Sequence, residues 1–243
     1  MAAKSRLDVA LVERGLAETR AAAQRMIMAG LVFSNDKRLD KAGQAIAADV
    51  PIELRGQPHP YVSRGGLKLE KALDHFSIPV AGRVALDVGA STGGFTDLLV
   101  QRGAARVYAV DVGTNQLAWK LRSDPRVVSM EKTNVRDLAL PEKVEIVVCD
   151  VSFIGLRTAL PQALTLAAPG AHLVALIKPQ FEVGKGRVGK GGIVREPELH
   201  QEVCDAISTW LAGQPGWRVL GVVDSPITGA EGNKEFLISA ELG

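Results

Sequence analysis

The chain has 243 residues, 47% of them apolar and 23% charged, and its formal net charge is +2. That is enough apolar side chain for a real core in one large domain or in a small and a medium one, which excludes bulk disorder, and it is no polycation. Two cysteines, Cys149 and Cys204, exclude a disulfide framework and a cysteine-rich zinc scaffold, and four scattered histidines leave no protein-ligated metal expected.

The start of the chain carries no apolar signal core, so a cytoplasmic protein is expected. The small basic surplus lies in residues 1–60, which hold nine Lys/Arg against seven Asp/Glu. This first quarter reads as helix, helix, hairpin. Leu7, Ala10 and Leu11 share one helical face, and Gly15 ends that helix. Thr19 can cap the next helix, which turns Ala22, Ala23, Met26 and Ile27 inward and stops at Gly30. Residues 31–37 read as a strand and turn, and 47–54 as one closing strand.

The order of Arg6-Leu7-Asp8, Leu11, Gly15, Thr19-Arg20, Ala23, Ile27, Gly30 and Val32 resembles the S-four-like RNA-binding domain, over roughly residues 5–54. One departure is the turn, where the usual Asn-Gly is Asn35-Asp36. The resemblance implies a backbone-reading grip on folded RNA. Arg6, Arg20, Arg25, Lys37 and Arg38 are the cations around the second helix and the turn that would reach phosphates. The bland alternative is an ordinary solvated surface.

Gln57-Pro-His-Pro60 reads as a stiff linker, giving an expected division into 1–56, the linker 57–60 and a second domain 61–243. Beyond it, strands are expected at 84–88, 107–112, 127–130, 145–151, 172–177, 218–223 and 235–240, mostly separated by helical segments. Such alternation predicts an α/β fold with a mostly parallel seven-stranded sheet and helices on both faces. Ligands then bind at the carboxyl ends of the strands, near the topological switch. The uncharged stretch 158–177 is long enough to span a bilayer. Pro161, Gln162, Pro169-Gly170 and His172 interrupt it, so it reads as helix, turn and buried strand.

The first strand of this sheet runs into Gly89-Ala90-Ser91-Thr92-Gly93-Gly94, with a helix from Phe95. A nicotinamide site wants G-x-G-x-x-G, and the spacing here is G-x-x-x-G-G. Gly89-Ala90-Ser91-Thr92-Gly93 literally fits the G-x-S-x-G elbow of serine hydrolases, yet only one strand of the domain precedes it. A tight packing turn with no ligand is a further possibility. S-adenosylmethionine binding explains more residues together. Asp87 ends the first strand, and Asp111 ends the second, where a carboxylate can accept from both ribose hydroxyls. Asn134-Val135 follows the third, where an adenine edge would lie, and Asp150 ends the fourth.

Gly184-Lys185-Gly186-Arg187-Val188-Gly189-Lys190 imitates a phosphate loop, but Gly191 stands where the magnesium-binding hydroxyl belongs. It reads better as a mobile basic loop whose Lys185, Arg187 and Lys190 close over RNA phosphates, or as a plain surface loop.

Four polar residues then stand out: Lys68 on the helix opening the second domain, Asp150, Lys178 ending a buried strand, and Glu235. Asp150 and Lys178 end strands expected to be neighbours facing the glycine loop. Together the four suit methylation of a hydroxyl, where the difficult step is removing a proton from a weak acid as it attacks. A lysine does that when its amine is neutral, a state that burial and a second nearby lysine both favour. Methylation of a base amine would instead call for an Asn/Asp-Pro-Pro-Tyr cradle, and Asp150 is followed by Val-Ser-Phe.

Residues 61–69, 87–95, 150–156, 178–186 and 232–236 resemble the TlyA family of ribosomal RNA 2′-O-methyltransferases, related to the FtsJ/RrmJ type. The resemblance covers nearly the whole chain. It implies a Rossmann-like methyltransferase domain with an S-four-like domain before it, and a Lys68, Asp150, Lys178, Glu235 catalytic set. It also implies S-adenosylmethionine held by Asp87, residues 89–95, Asp111, Asn134, Val135 and Asp150, and cytidine ribose in ribosomal RNA as substrate. Arg64, in the first matching stretch, joins the cations assigned to RNA. Expected partners are ribosomal RNA and the ribosomal subunits, with no membrane, and the protein is expected to act as a monomer. Members are often labelled haemolysins, so a membrane-active protein stays as an alternative, as does a non-catalytic RNA-binding protein.

Overall fold

The computed structural model describes residues 4–28, 30–55, 59–184, 186–229 and 232–243. The chain divides into two compact units, Met1–Arg64 and Gly65–Gly243.

In the first unit, β1 (Lys4–Arg6) leads into α1 (Leu7–Glu13) and α2 (Arg20–Met28), followed by β2 (Val32–Ser34), β3 (Lys37–Arg38), β4 (Ala45–Ala47) and β5 (Glu53–Leu54). Leu7, Ala10 and Leu11 from α1 meet Ala23 and Ile27 from α2 in one core with Val32 and Ile46. The Thr19 hydroxyl accepts from the Ala22 amide at 3.1 Å, so it caps α2 as its sequence position suggests. Asn35 takes the left-handed conformation, φ 51, in the two-residue turn between β2 and β3. Residues 47–54 differ from expectation. They form no single closing strand. Glu53–Leu54 pairs antiparallel with β2, while Ala45–Ala47 pairs with the N-terminal Lys4–Arg6 in a separate two-stranded sheet.

The second unit opens with α3 (Gly65–His75). The sheet strands follow as β6 (Val84–Val88), β7 (Arg106–Val110), β8 (Val127–Met130), β9 (Val144–Cys149), β10 (Ala167–Ile177), β11 (Trp217–Asp224) and β12 (Phe236–Leu242). Between them lie α4 (Gly94–Gln101), α5 (Trp119–Arg122), α6 (Leu156–Thr165), α7 (Pro179–Glu182) and α8 (Pro197–Ala212). The sheet order is β11-β12-β10-β9-β6-β7-β8, with β12 antiparallel to both neighbours and β6 to β10 parallel. Central strands such as Val144–Cys149 are apolar on both faces because helices cover both, and their side chains make the core with α6 and α8.

The chain leaves β6 on one side for β7 and β8, then returns to the other side for β9. The carboxyl ends of β6 and β9 therefore flank the switch point where this architecture opens a crevice. Residues 158–177 are the end of α6 and the strand β10, and among the described residues no helix is long and apolar enough to cross a membrane.

Candidate active site

At that switch point lies a cavity of about 370 Å³. Its apolar lining comes from strand ends and the turns after them: Val88, Val110, Val135, Val151 and Ile154. Its polar lining includes Ser91, Asp111, Gln116, Asn134, Asp150 and Ser152. A flat apolar ligand with polar edges fits this mixture.

The glycine loop is shaped by close packing. Gly89 holds φ +83, and a Cβ there would stand 2.7 Å from the Asp150 carbonyl oxygen. Gly93 holds φ +100, and a Cβ there would collide with Leu117 and Leu121. Only glycine takes these backbone angles beside such neighbours. Ser91 also adopts a left-handed conformation, φ 48. Ala90 and Phe95 are buried, Gly93 and Gly94 are buried with them, and Thr92 is exposed, so of the loop only Gly89 and Ser91 reach the cavity.

Asp111 binds the loop to the turn after β7. One carboxylate oxygen accepts from the Ser91 amide at 2.8 Å and the other from the Gly113 amide at 2.7 Å. Each oxygen keeps a second lone pair for a ligand in the cavity. Asn134 caps the short helical turn Val135–Asp137 by accepting from the Arg136 amide at 3.1 Å, leaving its own NH₂ free to donate. Asp87 is wholly buried behind the loop, where Thr96 donates to one oxygen at 2.6 Å and the other oxygen has no partner. Burial pushes its carboxyl up to about 7, against the pull of the Thr96 hydrogen bond and with help from the charge of Asp150.

Asp150 belongs both to the cavity wall and to a polar cluster beside it. Lys178 Nζ lies 2.6 Å from Asp150 Oδ1, off the axis of a well-aligned hydrogen bond, and donates to the Ser152 hydroxyl at 3.0 Å. Lys68, on the buried face of α3, donates to Glu235 at 2.5 Å. Lys68 and Glu235 are buried, and Lys178 is only 9% exposed. Ile177 and Phe236 are the last register partners of antiparallel β10 and β12, so Lys178 and Glu235 leave the sheet side by side. The sequence reading singled out these four residues, and the fold brings them together as two ion pairs at one end of the sheet. Gly229 packs directly on the Glu235 carboxylate, where no side chain would fit.

Several residues of this region escaped the sequence reading. Gln116, Thr133 and Ser152 line the cavity. Glu131 follows β8 and accepts from the amides of Asn115, Gln116 and Leu117 at 2.8, 2.9 and 3.3 Å, and from Arg122 at 2.6 Å. These donors hold its carboxyl down to about 2. The rule that found Asp111, a carboxylate just past a strand, would have found Glu131 had it been applied to the third strand. Phe153, 90% exposed with φ 69 against the Phe181 ring, carries no signal beyond its neighbour Asp150.

The loop also decides among its competing readings. No histidine lines the cavity, so Ser91 has no partner to act as a hydrolase base. A packing turn alone does not account for the cavity in front of it.

Residues 61–242 match the FtsJ-like methyltransferase family, and residues 5–49 match the S4 domain. This chain belongs to the FtsJ-like methyltransferase family. A relative from Bacillus subtilis (strain 168), named "Putative rRNA methyltransferase YqxC", is 55% identical over 240 residues, covering 97% of this chain and 85% of its own length. The 16S/23S rRNA (cytidine-2'-O)-methyltransferase TlyA of Mycobacterium tuberculosis (strain ATCC 25618 / H37Rv) is 46% identical over 242 residues, covering 98% of this chain and 90% of its own. A solved structure described as "Putative hemolysin from Streptococcus thermophilus" superposes with a TM-score of 0.76 at 46% identity, covering 100% of this chain and 90% of that one.

An FtsJ-like methyltransferase uses S-adenosylmethionine, and the cavity fits it. The volume suits a nucleoside with a short tail, Asp111 offers acceptors to a ribose diol, and the apolar strand ends offer flat surface to an adenine.

Within the S4-matching unit the expected RNA contacts fall into two groups. Arg6 and Arg20 both bond the buried Asp8 at 3.0 Å, so each serves the fold as well as presenting an exposed side chain. Their guanidinium groups and Gln24 hold the Asp8 carboxyl far below the usual carboxylate range. Arg25, Lys37 and Arg38 are exposed, and among the described residues none of them makes an ion pair. In the second unit Arg187 pairs with Glu202 at 2.5 Å, and Lys190 is exposed. Arg64 is exposed, and Lys185 lies outside the described residues. Just past the loop expected to be mobile, the chain is fastened to the segment before β12. The Asn233 side chain accepts from the Val194 amide at 3.1 Å and donates to the Gly192 carbonyl at 3.0 Å.

Proposed function

We propose that this protein transfers a methyl group from S-adenosylmethionine to the ribose 2′-hydroxyl of a cytidine in ribosomal RNA, acting as a cytoplasmic monomer on ribosomal subunits. The observation that carries the reading is Asp150, which lines the cavity and stands 2.6 Å from Lys178. It joins a cofactor-sized space to a buried cluster of two lysines and two carboxylates. Two relatives named as rRNA methyltransferases, one of them a cytidine-2'-O enzyme, support the substrate. The S4 match supports an RNA grip at the N-terminus, for which Arg6, Arg20, Arg25, Lys37, Arg38 and Arg64 are the cations proposed, with Lys185, Arg187 and Lys190 from the second unit.

Asp111 and Asn134 with Val135 would hold the nucleoside of the cofactor, and Asp87 with residues 89–95 would shape the loop behind it. The bound cofactor supplies an electrophilic methyl group on sulfur. Lys178 acts once its own proton has left to solvent: the neutral amine takes the proton from the 2′-hydroxyl oxygen as that oxygen gains the methyl, and Asp150 balances the ammonium that results. Ser152, already bonded to Lys178 Nζ, fixes the direction of the amine. Lys68, held in place by Glu235, provides an ammonium whose charge stabilises developing negative charge on the attacking oxygen.

The test is single-turnover methylation at saturating S-adenosylmethionine and RNA. Lys178→Ala is expected to abolish transfer with cofactor affinity within a few-fold of the parent. Lys178→Arg is expected to stay inactive, because a guanidinium does not give up its proton at working pH. Robust turnover by the arginine variant would remove Lys178 as the proton acceptor and leave it an electrostatic role.

A further inference from the structure

Trp119 opens α5 with 79% of its surface exposed. Among the described residues no ring or cation packs on it. Its exposure is built into a rigid frame. The opposite side of the segment is buried: Leu117 and Leu121 seat directly on Gly93 of the glycine loop. The Ala118 amide donates to the Thr92 carbonyl at 3.1 Å, Lys120 pairs with Asp97 of α4 at 2.9 Å, and Arg122 is held by Glu131. The residues just before, Asn115 to Leu117, are fixed by the same Glu131 carboxylate.

This segment is also the rim of the cavity. Gln116 and Val112 line it, and Val112 is itself 74% exposed. Lys132 and Arg136, which follow β8, are exposed cations at the same strand ends, and the Lys132 amide bonds the Gly113 carbonyl at 3.0 Å. A large exposed apolar ring carried on a pinned segment that reaches the cavity rim, with exposed cations at the same strand ends, is the arrangement that receives an unpaired nucleobase. The ring supplies a stacking face that any base can use, and the cations supply the phosphate attraction.

We infer that Trp119 is a stacking platform for an unpaired base of the RNA substrate, a neighbour of the nucleotide whose ribose enters the cavity. The inference rests on the reading of the protein as an RNA methyltransferase. The exposed cations Lys132 and Arg136 at the same strand ends favour RNA over a second copy of the chain, which the test separates.

The experiment compares the parent, Trp119→Ala and Trp119→Phe in methylation of ribosomal RNA over a range of RNA concentrations, with cofactor affinity by calorimetry and self-association by sedimentation. The alanine variant is expected to raise the RNA concentration for half-maximal rate about tenfold or more, the usual cost of losing one stacked base. Its maximal rate and its affinity for S-adenosylmethionine stay near the parent's, and phenylalanine restores most of the loss. In the parent, tryptophan fluorescence falls as RNA is added, and this change is absent in Trp119→Phe. An unchanged RNA dependence in Trp119→Ala overturns the inference. A loss seen only as altered sedimentation overturns it too and assigns the ring to contact between copies. If the parent itself methylates no RNA, the functional reading fails first, and the fluorescence titration still reports whether RNA meets Trp119.

Discussion

Asp87 concentrates the tension between fold and site in one side chain. Its carboxyl is wholly buried, with one oxygen on Thr96 and the other unpaired, and burial raises it to about 7. In the unfolded chain an aspartate ionises near 4. Between those values the folded protein keeps a proton that the unfolded chain has released, so the contribution of Asp87 to stability is greatest below about pH 4 and falls as pH rises through 7. Asn has the shape of the protonated carboxyl and cannot ionise. Asp87→Asn is therefore expected to gain about 2–3 kcal/mol over the parent on going from pH 5 to pH 8. Urea unfolding of both proteins at the two pH values measures this, and a constant difference would contradict it. At this scale the sequence spoke through position. Asp111 and Asp150 could be read from their places at strand ends. Glu131 carried the same positional signal, just past the third strand of the sheet, but the sequence was silent on Asn233, whose importance comes from the backbone amide and carbonyl that fold against it.

Among the elements, the glycine loop bears the most exact fit. At Gly89 the left-handed backbone alone would cost another residue about 1–2 kcal/mol. The Cβ would also push on the Asp150 carbonyl, which is backbone, in a residue whose amide donates to the Val88 carbonyl at 3.0 Å. Gly89→Ala is expected to lower the melting temperature and to weaken S-adenosylmethionine at least tenfold. Gly170→Ala makes the control: it has φ +77 with nothing within 4 Å, so only the backbone cost applies and cofactor affinity stays. Calorimetry that finds both variants equal to the parent in affinity would mean the cofactor lies away from this loop. Element reading from sequence succeeded where apolar runs are long. The strands 84–88 and 127–130 match their expected ranges, and the other five differ by a few residues at their ends. It failed at β1 and β4, where three residues are too few to show an alternation and the pairing joins segments about forty residues apart.

At the scale of the whole molecule, among the described residues the core around Leu7, Leu11 and Ile27 shares no residue with the core that α6 and α8 make with the seven-stranded sheet. Removing residues 1–56 is therefore expected to leave a cooperatively folded protein that binds S-adenosylmethionine like the parent. Its methylation of ribosomal RNA at limiting RNA is expected to be at least tenfold slower, because the phosphate contacts of the first unit are gone. Full activity of the truncated protein would contradict the division of labour. The two-part plan was legible from composition and motif order, since helix pairs with turn cations and alternating strands and helices are long-range patterns. The placing of Lys178 near Asp150 was legible from their neighbouring strand ends, whereas the pairing of Lys68 with Glu235, far apart in the chain, was set only by folding. The measurement that bears most directly on the proposed function follows the methyl group itself. Ribosomal RNA is incubated with the protein and S-adenosylmethionine labelled in its methyl group, digested to nucleosides, and the labelled nucleoside is identified. The expected product is 2′-O-methylcytidine, absent with Lys178→Ala. Label on a base, or none at all in a protein that binds the cofactor, would contradict ribose methylation.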